Sequence, residues 1–428
     1  MGLTLLPCEV FTREFDSKLF LAANLVSRHG HHVLIGYDKY FNKVIPYLRQ
    51  TVLLDKSISS LMFHSRIKPC YKNGGKVLVS DEEGFNNIGI RGDNAFLARA
   101  DPRCVDYIEK YACWGKRDYD FFSQINGLQN KMEILGSPRS DLLSKLGYDY
   151  YSDKIYSLKS LFGNFVLVSD NFAIERIGST TLPRYDVSDA VNNQIQSEYL
   201  EWIDIAKKLR IHFVELVDFA VRSFPNTNFI VRPHPASLPN YWYEKFGKYH
   251  NCVILNRDSV DPWIHASSAV VTMGCTIGVQ SIVAGRPTVE VSSNELPIYG
   301  TAPQLISTHA NDQESMYQLL SSAIFQQKSQ IVDNELLGDS WANIQSECSV
   351  LFSDRINSMF SGSSDSYLNQ NLDYLKPLNL KFNLSKWPFI PTVRALDSSL
   401  RRISKIFGIK QPSLKKISQG VWLLFPSS

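Results

Sequence analysis

The 428-residue sequence contains no CxxC pair, and its seven cysteines, at 8, 70, 104, 113, 252, 275 and 348, follow no regular spacing. Neither a zinc site nor a disulfide framework is therefore expected, and a reducing cytosol fits best. There is no Walker A sequence, no HExxH and no GxSxG, which argues against P-loop ATPases, zinc proteases and α/β hydrolases. No window approaches the roughly 18 uninterrupted apolar residues of a spanning helix. The N-terminal MGLTLLPCE has no basic region before its short apolar run, so no signal peptide is expected, and Leu6-Pro7-Cys8 lacks the flanks of a lipoprotein cleavage site. Repeats of fixed period and low-complexity tracts are also missing.

What is present is an alternation of short apolar runs with helix-compatible stretches. Helical periodicity covers Arg13 to His29 and stops at Gly30; strand-like runs follow at His32 to Tyr37, Thr51 to Leu54, Lys76 to Ser80 and Ala112 to Trp114. A second series begins near Gly163, with strands at Phe165 to Ser169, Phe229 to Arg232, Val253 to Leu255, Ala269 to Thr272 and Thr288 to Val291, and a long helix over Glu198 to Phe224. Two such series predict an α/β chain with two Rossmann-like domains and parallel sheets covered on both faces. The expected division is 1–155, 156–350 and a C-terminal extension, 351–428.

Two stations in the second series can carry chemistry. Phe229 to Pro235 (FIVRPHP) delivers Arg232 and His234 to the carboxyl edge of a parallel sheet, with Pro233 and Pro235 restricting the backbone. Val270 to Pro287 runs into Gly274-Cys275-Thr276 and a helix, whose free N–H groups suit an anion. Cys275 reads as a packed small residue, and Ser267-Ser268, before that strand, are further hydroxyl donors. His234 alone would equally serve to satisfy backbone groups at a strand end.

In the first series, Val77 to Ser80 leads into Asp81-Glu82-Glu83-Gly84, either a solvated acidic turn or a source of a general base. Arg13, Asp16 and Lys18 open the first helix, where Glu14 and Asp16 suit its positive end. Asp55-Lys56 and the segment holding Arg139 follow other apolar runs. Asp118-Tyr119-Asp120 is a DxD, but a helix start explains it as well as a metal site does, and no metal is expected.

Charge is unevenly placed. Residues 376–428 hold ten Lys or Arg against one acid, Asp397, while the rest of the chain holds 35 basic and 41 acidic residues. Leu396, Leu400, Ile403 and Phe407 fall at helical spacing among these cations, which suits either an anionic membrane surface or a helix packed across the domains. Nucleic acid is not an expected partner, because the body is acidic and no recognition motif occurs.

The motifs REFDSK (13–18), LDKS (54–57), DEEG (81–84), GSPRSDLL (136–143), NFVLVSDNF (164–172), VRPHP (231–235) and GCTIGVQSIVAGRP (274–287) occur in that order. With them the chain resembles bacterial surface-carbohydrate biosynthesis proteins that look like GT-B glycosyltransferases, a resemblance spanning about residues 9 to 310. Glu82-Glu83-Gly84 and His234-Pro235 are also similar to the acidic and HP motifs of bacterial sialyltransferases.

The resemblance implies a GT-B fold with two Rossmann-like domains facing a cleft, and transfer of an ulosonic acid from a CMP-activated donor to a glycan or lipid-linked glycan acceptor, without metal or cofactor. It implies Glu82 or Glu83 as base and His234 on the CMP phosphate. The nucleotide-binding set would be Arg232, His234, Pro235, Ser267, Ser268, Gly274, Cys275, Thr276 and Gln280, and the acceptor side Arg13, Asp16, Lys18, Asp55, Lys56, Asp81, Arg139 and Asn171. Gln280 departs from the Glu that related helices place on the ribose. The expected location is cytoplasmic, peripheral on the inner face of the membrane. Rival readings are glycerophosphate transfer from CDP-glycerol, sugar-nucleotide epimerisation, and a noncatalytic scaffold of a polysaccharide assembly complex.

Overall fold

The computed structural model describes residues 1–82, 100–170, 188–234, 239–255, 258–294, 302–326, 334–360, 366–383 and 386–427. They form two compact units. The first gathers the described residues of Met1–Gly84, Arg99–Tyr150 and Gly338–Ser428; the second is built mainly from Tyr151–Leu337.

The first unit opens with β1 (Leu3–Cys8), every residue of which is buried. The helix Phe11–His29 then leads to β2 (His32–Tyr37), followed by β3 (Val52–Asp55), β4 (Lys76–Ser80), β5 (Lys110–Cys113) and β6 (Met132–Ile134). All pair in parallel in the order β2-β1-β3-β4-β5-β6. Chain direction across the sheet reverses between β1 and β3, and such a switch point opens a crevice at the carboxyl ends of the strands.

The second unit holds β7 (Phe165–Ser169), β8 (Asn228–Arg232), β9 (Cys252–Ile254), β10 (Ala269–Thr272), β11 (Thr288–Val291) and β12 (Thr308–Ala310). Their order, β12-β11-β10-β7-β8-β9, is the doubly wound arrangement with its switch point between β7 and β10. Strands buried on both faces read as unbroken apolar runs, and β7, β10 and β11 lie where the sequence places them. The helix between β7 and β8 begins earlier than its periodicity suggests. It spans Asp189–Ser223, and the Ser188 side chain accepts the Val191 N–H at its start.

The C-terminal segment belongs to the first unit. The helix Val393–Phe407 buries Leu396, Leu400 and Ile403, and Arg402 donates to the Tyr150 carbonyl at 2.7 Å. Beyond it, β13 (Ser413–Ser418) and β14 (Val421–Phe425) form a hairpin that adds β14 antiparallel to β2. The approach is close: a Cβ on Gly36 would stand 2.1 Å from the Gly420 carbonyl oxygen, so only glycine fits there. Trp387 packs 4.9 Å from Phe11 and donates its Nε1–H to the Glu9 carbonyl at 3.0 Å. The apolar stripe expected to meet either lipid or protein is thus used inside the protein. Among the described residues no helix is long and apolar enough to cross a membrane.

Candidate functional site

The switch point of the second sheet collects most of the chemistry. In-register pairing sets Arg232, Ser169, Thr272, Glu290 and His309 side by side on β8, β7, β10, β11 and β12. Neighbours in register on parallel strands project to the same face, so a polar row runs across five strands. Just beyond it, the buried Asp170 accepts the His234 N–H at 3.2 Å and fixes the direction of that strand end. Arg232 is committed to its own surroundings. Its guanidinium lies 5.1 Å from the Trp263 ring and donates to the Asp258 carbonyl at 3.0 Å. Burial lowers it to about 10, against the pull of Asp258 and Asp261.

After β10 the chain turns through Gly274, whose φ of +58° is the left-handed region that favours glycine. The helix Thr276–Val283 starts there without a side-chain cap, leaving donors at its positive end. Cys275 is buried, and that burial pushes its thiol up to about 11, so it remains a thiol at neutral pH. Gln280, one helical turn on, is buried with its Nε2 unpaired among the described residues. Glu290 accepts the Gly274 N–H through one carboxyl oxygen, and its other oxygen is buried and has no partner among the described residues.

The first unit places a charged cluster at its own sheet edge. Lys18 is buried and reaches the Pro7 carbonyl at 2.8 Å and the carboxylates of Glu14 and Glu82, each at 3.0 Å. Burial opposes its charge, but Glu82 and Glu14 more than offset this and hold it above the ordinary lysine range. Glu14 also accepts the N–H groups of Glu9 and Val10, which is the capping role expected of it. Arg139 donates to the Glu82 carbonyl at 3.3 Å and lies 5.7 Å from the Trp114 ring. Lys18, Asp55, Ser80, Glu82, Ser137 and Arg139 contribute to the lining of a small cavity.

Other sequence-selected residues have different surroundings. Asp55 forms a buried bidentate pair with Arg66 at 2.9 and 2.7 Å, and Lys56 pairs with Glu9. Asp16 accepts the Tyr150 hydroxyl at 3.3 Å, Arg13 pairs with Glu14 at 3.2 Å, and the Asp81 carbonyl accepts the Trp114 indole N–H. Asp118 accepts the Trp114 N–H at 3.0 Å while Asp120 pairs with Lys116.

Ser267 and Ser268 require a correction. They precede β10 at the amino edge of the sheet, where Ser267 Oγ donates to the Ile264 carbonyl at 2.9 Å and the Ser268 N–H to Phe165 at 2.8 Å. A four-residue strand separates them from the carboxyl edge, so they stand apart from the polar row. Glu83, Asn171 and Pro235 lie outside the described residues. The sequence reading missed Asp170 and Glu290. A lone acid inside an otherwise apolar parallel strand, as in Thr288–Val291, is the signal that would have found the latter.

No protein-family model and no curated protein matches the sequence. Solved structures do share its fold. UDP-GlcNAc 2-epimerase from Methanocaldococcus jannaschii is 9% identical, with 82% of this chain and 99% of that one covered at a TM-score of 0.52. The same enzyme in complex with UDP-GlcNAc and UDP is 10% identical, with 84% and 100% covered at 0.51. UDP-GlcNAc 2-epimerase from Neisseria meningitidis bound to UDP-GlcNAc is 10% identical, with 84% and 99% covered at 0.49. The chain has the GT-B type of fold, built on two Rossmann-like sheets.

Proposed function

We propose that the protein is an enzyme of surface-carbohydrate biosynthesis acting on a nucleotide-activated sugar, whose phosphates bind at the carboxyl edge of the second sheet. The observation that carries this reading is that the carboxyl edge of one sheet carries both the Asp170-anchored His234, after β8, and the uncapped helix start at Thr276, after β10. Helix-start N–H groups bind anions, and a histidine beside them can stabilise charge on a departing phosphate.

The finer reading, carried by the motif resemblance, is metal-independent transfer of an ulosonic acid from a CMP donor to a glycan acceptor. The Lys18 pairing ties up Glu82, which leaves Glu83 as the base of this reading. Epimerisation of a nucleotide sugar, a reaction with no acceptor hydroxyl to deprotonate, is the second reading. UDP-GlcNAc 2-epimerases of this fold match the chain along 99% of their own length.

Incubating the purified protein with CMP-, CDP- and UDP-activated sugars, with and without glycan acceptors, separates the readings by product analysis. Acceptor-dependent release of CMP supports transfer, and an epimeric nucleotide sugar formed without acceptor supports the second reading. Absence of turnover and of nucleotide binding would sink both in favour of a noncatalytic scaffold.

A further inference from the structure

Glu290 has no role in the readings above, yet it touches the turn that begins the site's helix. It is fully buried on β11 in register with Thr272, and its carboxyl takes the N–H of Gly274, the residue on which the turn pivots. Glycine is the most flexible residue, so a turn built on it needs a tie. The second carboxyl oxygen and Thr272 Oγ1 have no hydrogen-bond partner among the described residues.

We propose that Glu290 positions the anion-binding turn through Gly274, and that its carboxyl holds a proton while the anion is bound. No described cation offsets its charge. Among the described residues, the titratable groups on the neighbouring elements are the Cys275 thiol on the turn, Asp170 after β7, His309 in register on β12 and His212 of the long helix. His309 is engaged with the Gln304 carbonyl, and His212 with the Ser292 carbonyl next to β11. Desolvation favours the neutral acid and pushes the group up to about 8, against the Gly274 hydrogen bond. A carboxylate under the turn would repel a phosphate above it, so phosphate binding and ionisation of Glu290 oppose each other. The coupling is reciprocal: anion binding draws a proton onto Glu290, and deprotonation weakens the anion.

The inference rests on the nucleotide reading, and one experiment separates their failures. Titrate CMP, CDP and UDP calorimetrically into the full-length protein and its Glu290→Gln and Glu290→Leu variants between pH 7 and 9.5, where a terminal phosphate is already ionised. The wild type is expected to bind roughly tenfold more weakly at pH 9.5 than at pH 7. Glu290→Gln, which keeps an acceptor for Gly274 and cannot ionise, should match the wild type at pH 7 and stay flat. Glu290→Leu should bind weakly throughout. Parallel profiles for wild type and Glu290→Gln overturn the proposal while leaving the nucleotide site standing, whereas no binding by the wild type at any pH overturns both. A readout without ligand guards against a binding defect: the stability that Glu290 contributes is complete at low pH and lost as pH rises through about 8, and this loss should be absent in Glu290→Gln. An unchanged stability profile in that variant also counts against the proposal.

Discussion

Lys18 Nζ lies 3.0 Å from Glu14 and 3.0 Å from Glu82, two carboxylates brought to one buried ammonium from the first helix and from the segment after β4. Removing the cation leaves both acids beside a closed interior. Lys18→Met should cost about 3 kcal/mol of unfolding free energy by urea denaturation. Adding Glu82→Gln to it should recover part of that loss. A loss below about 1 kcal/mol, the worth of an exposed pair, would mean that water reaches the cluster.

Asp141 joins two distant parts of the first unit. It accepts the N–H groups of Cys348 and Ser349 at 2.8 and 2.9 Å, and the Ser349 hydroxyl, at the start of the helix Cys348–Met359. Asp141→Ala should cost about 2 kcal/mol by leaving these donors unmet. Burial pushes the carboxyl up to about 6, so the folded chain binds this proton more readily than the unfolded one. Its contribution is complete below the unfolded value and falls as pH rises through about 6. Asp141→Asn should therefore flatten the stability profile between pH 4 and 6.5, and an unchanged slope would show that Asp141 is not its source.

Trp422 is fully buried on β14, 5.5 Å from Phe15. Trp422→Ala should cost about 4 kcal/mol, measured by thermal or urea unfolding, because the hairpin completes the core beside β2. Flotation with anionic vesicles checks the alternative use of this segment. With Leu396, Leu400 and Ile403 packed inside, the intact protein should stay out of the floating fraction, and flotation that depends on residues 396–428 would mean that the helix undocks.

The sequence made the parallel strands of the second sheet legible because they are short, apolar and bounded by turn residues; Ala269–Thr272 and Thr288–Val291 coincide with expectation. Other elements were hidden for physical reasons. Leu3–Cys8 carries Pro7 and sits at a terminus, yet it is the central strand at the first switch point. Ser413–Ser418 is mostly polar, and only pairing through Val421–Phe425 reveals it as an edge. Within the site, His234 and the Gly274 turn announce themselves by local pattern. Asp170 does not, because its importance comes from a hydrogen bond to a residue far away in sequence, and Glu290 shows only as a lone acid in an apolar strand whose partners are set by register. Ser267 and Ser268 illustrate the converse: hydroxyls close in sequence to a site strand can stand at its other end.

The measurement closest to the central claim is calorimetric binding of CMP, CDP and UDP to the wild-type protein and to His234→Ala, at pH 7 and low salt. Saturable binding of at least one nucleotide by the wild type is expected, with about tenfold weaker binding by the variant, the scale of one lost charge-assisted hydrogen bond. Equal affinity in the two proteins, with both folded, would contradict the placement of the nucleotide phosphates beside His234.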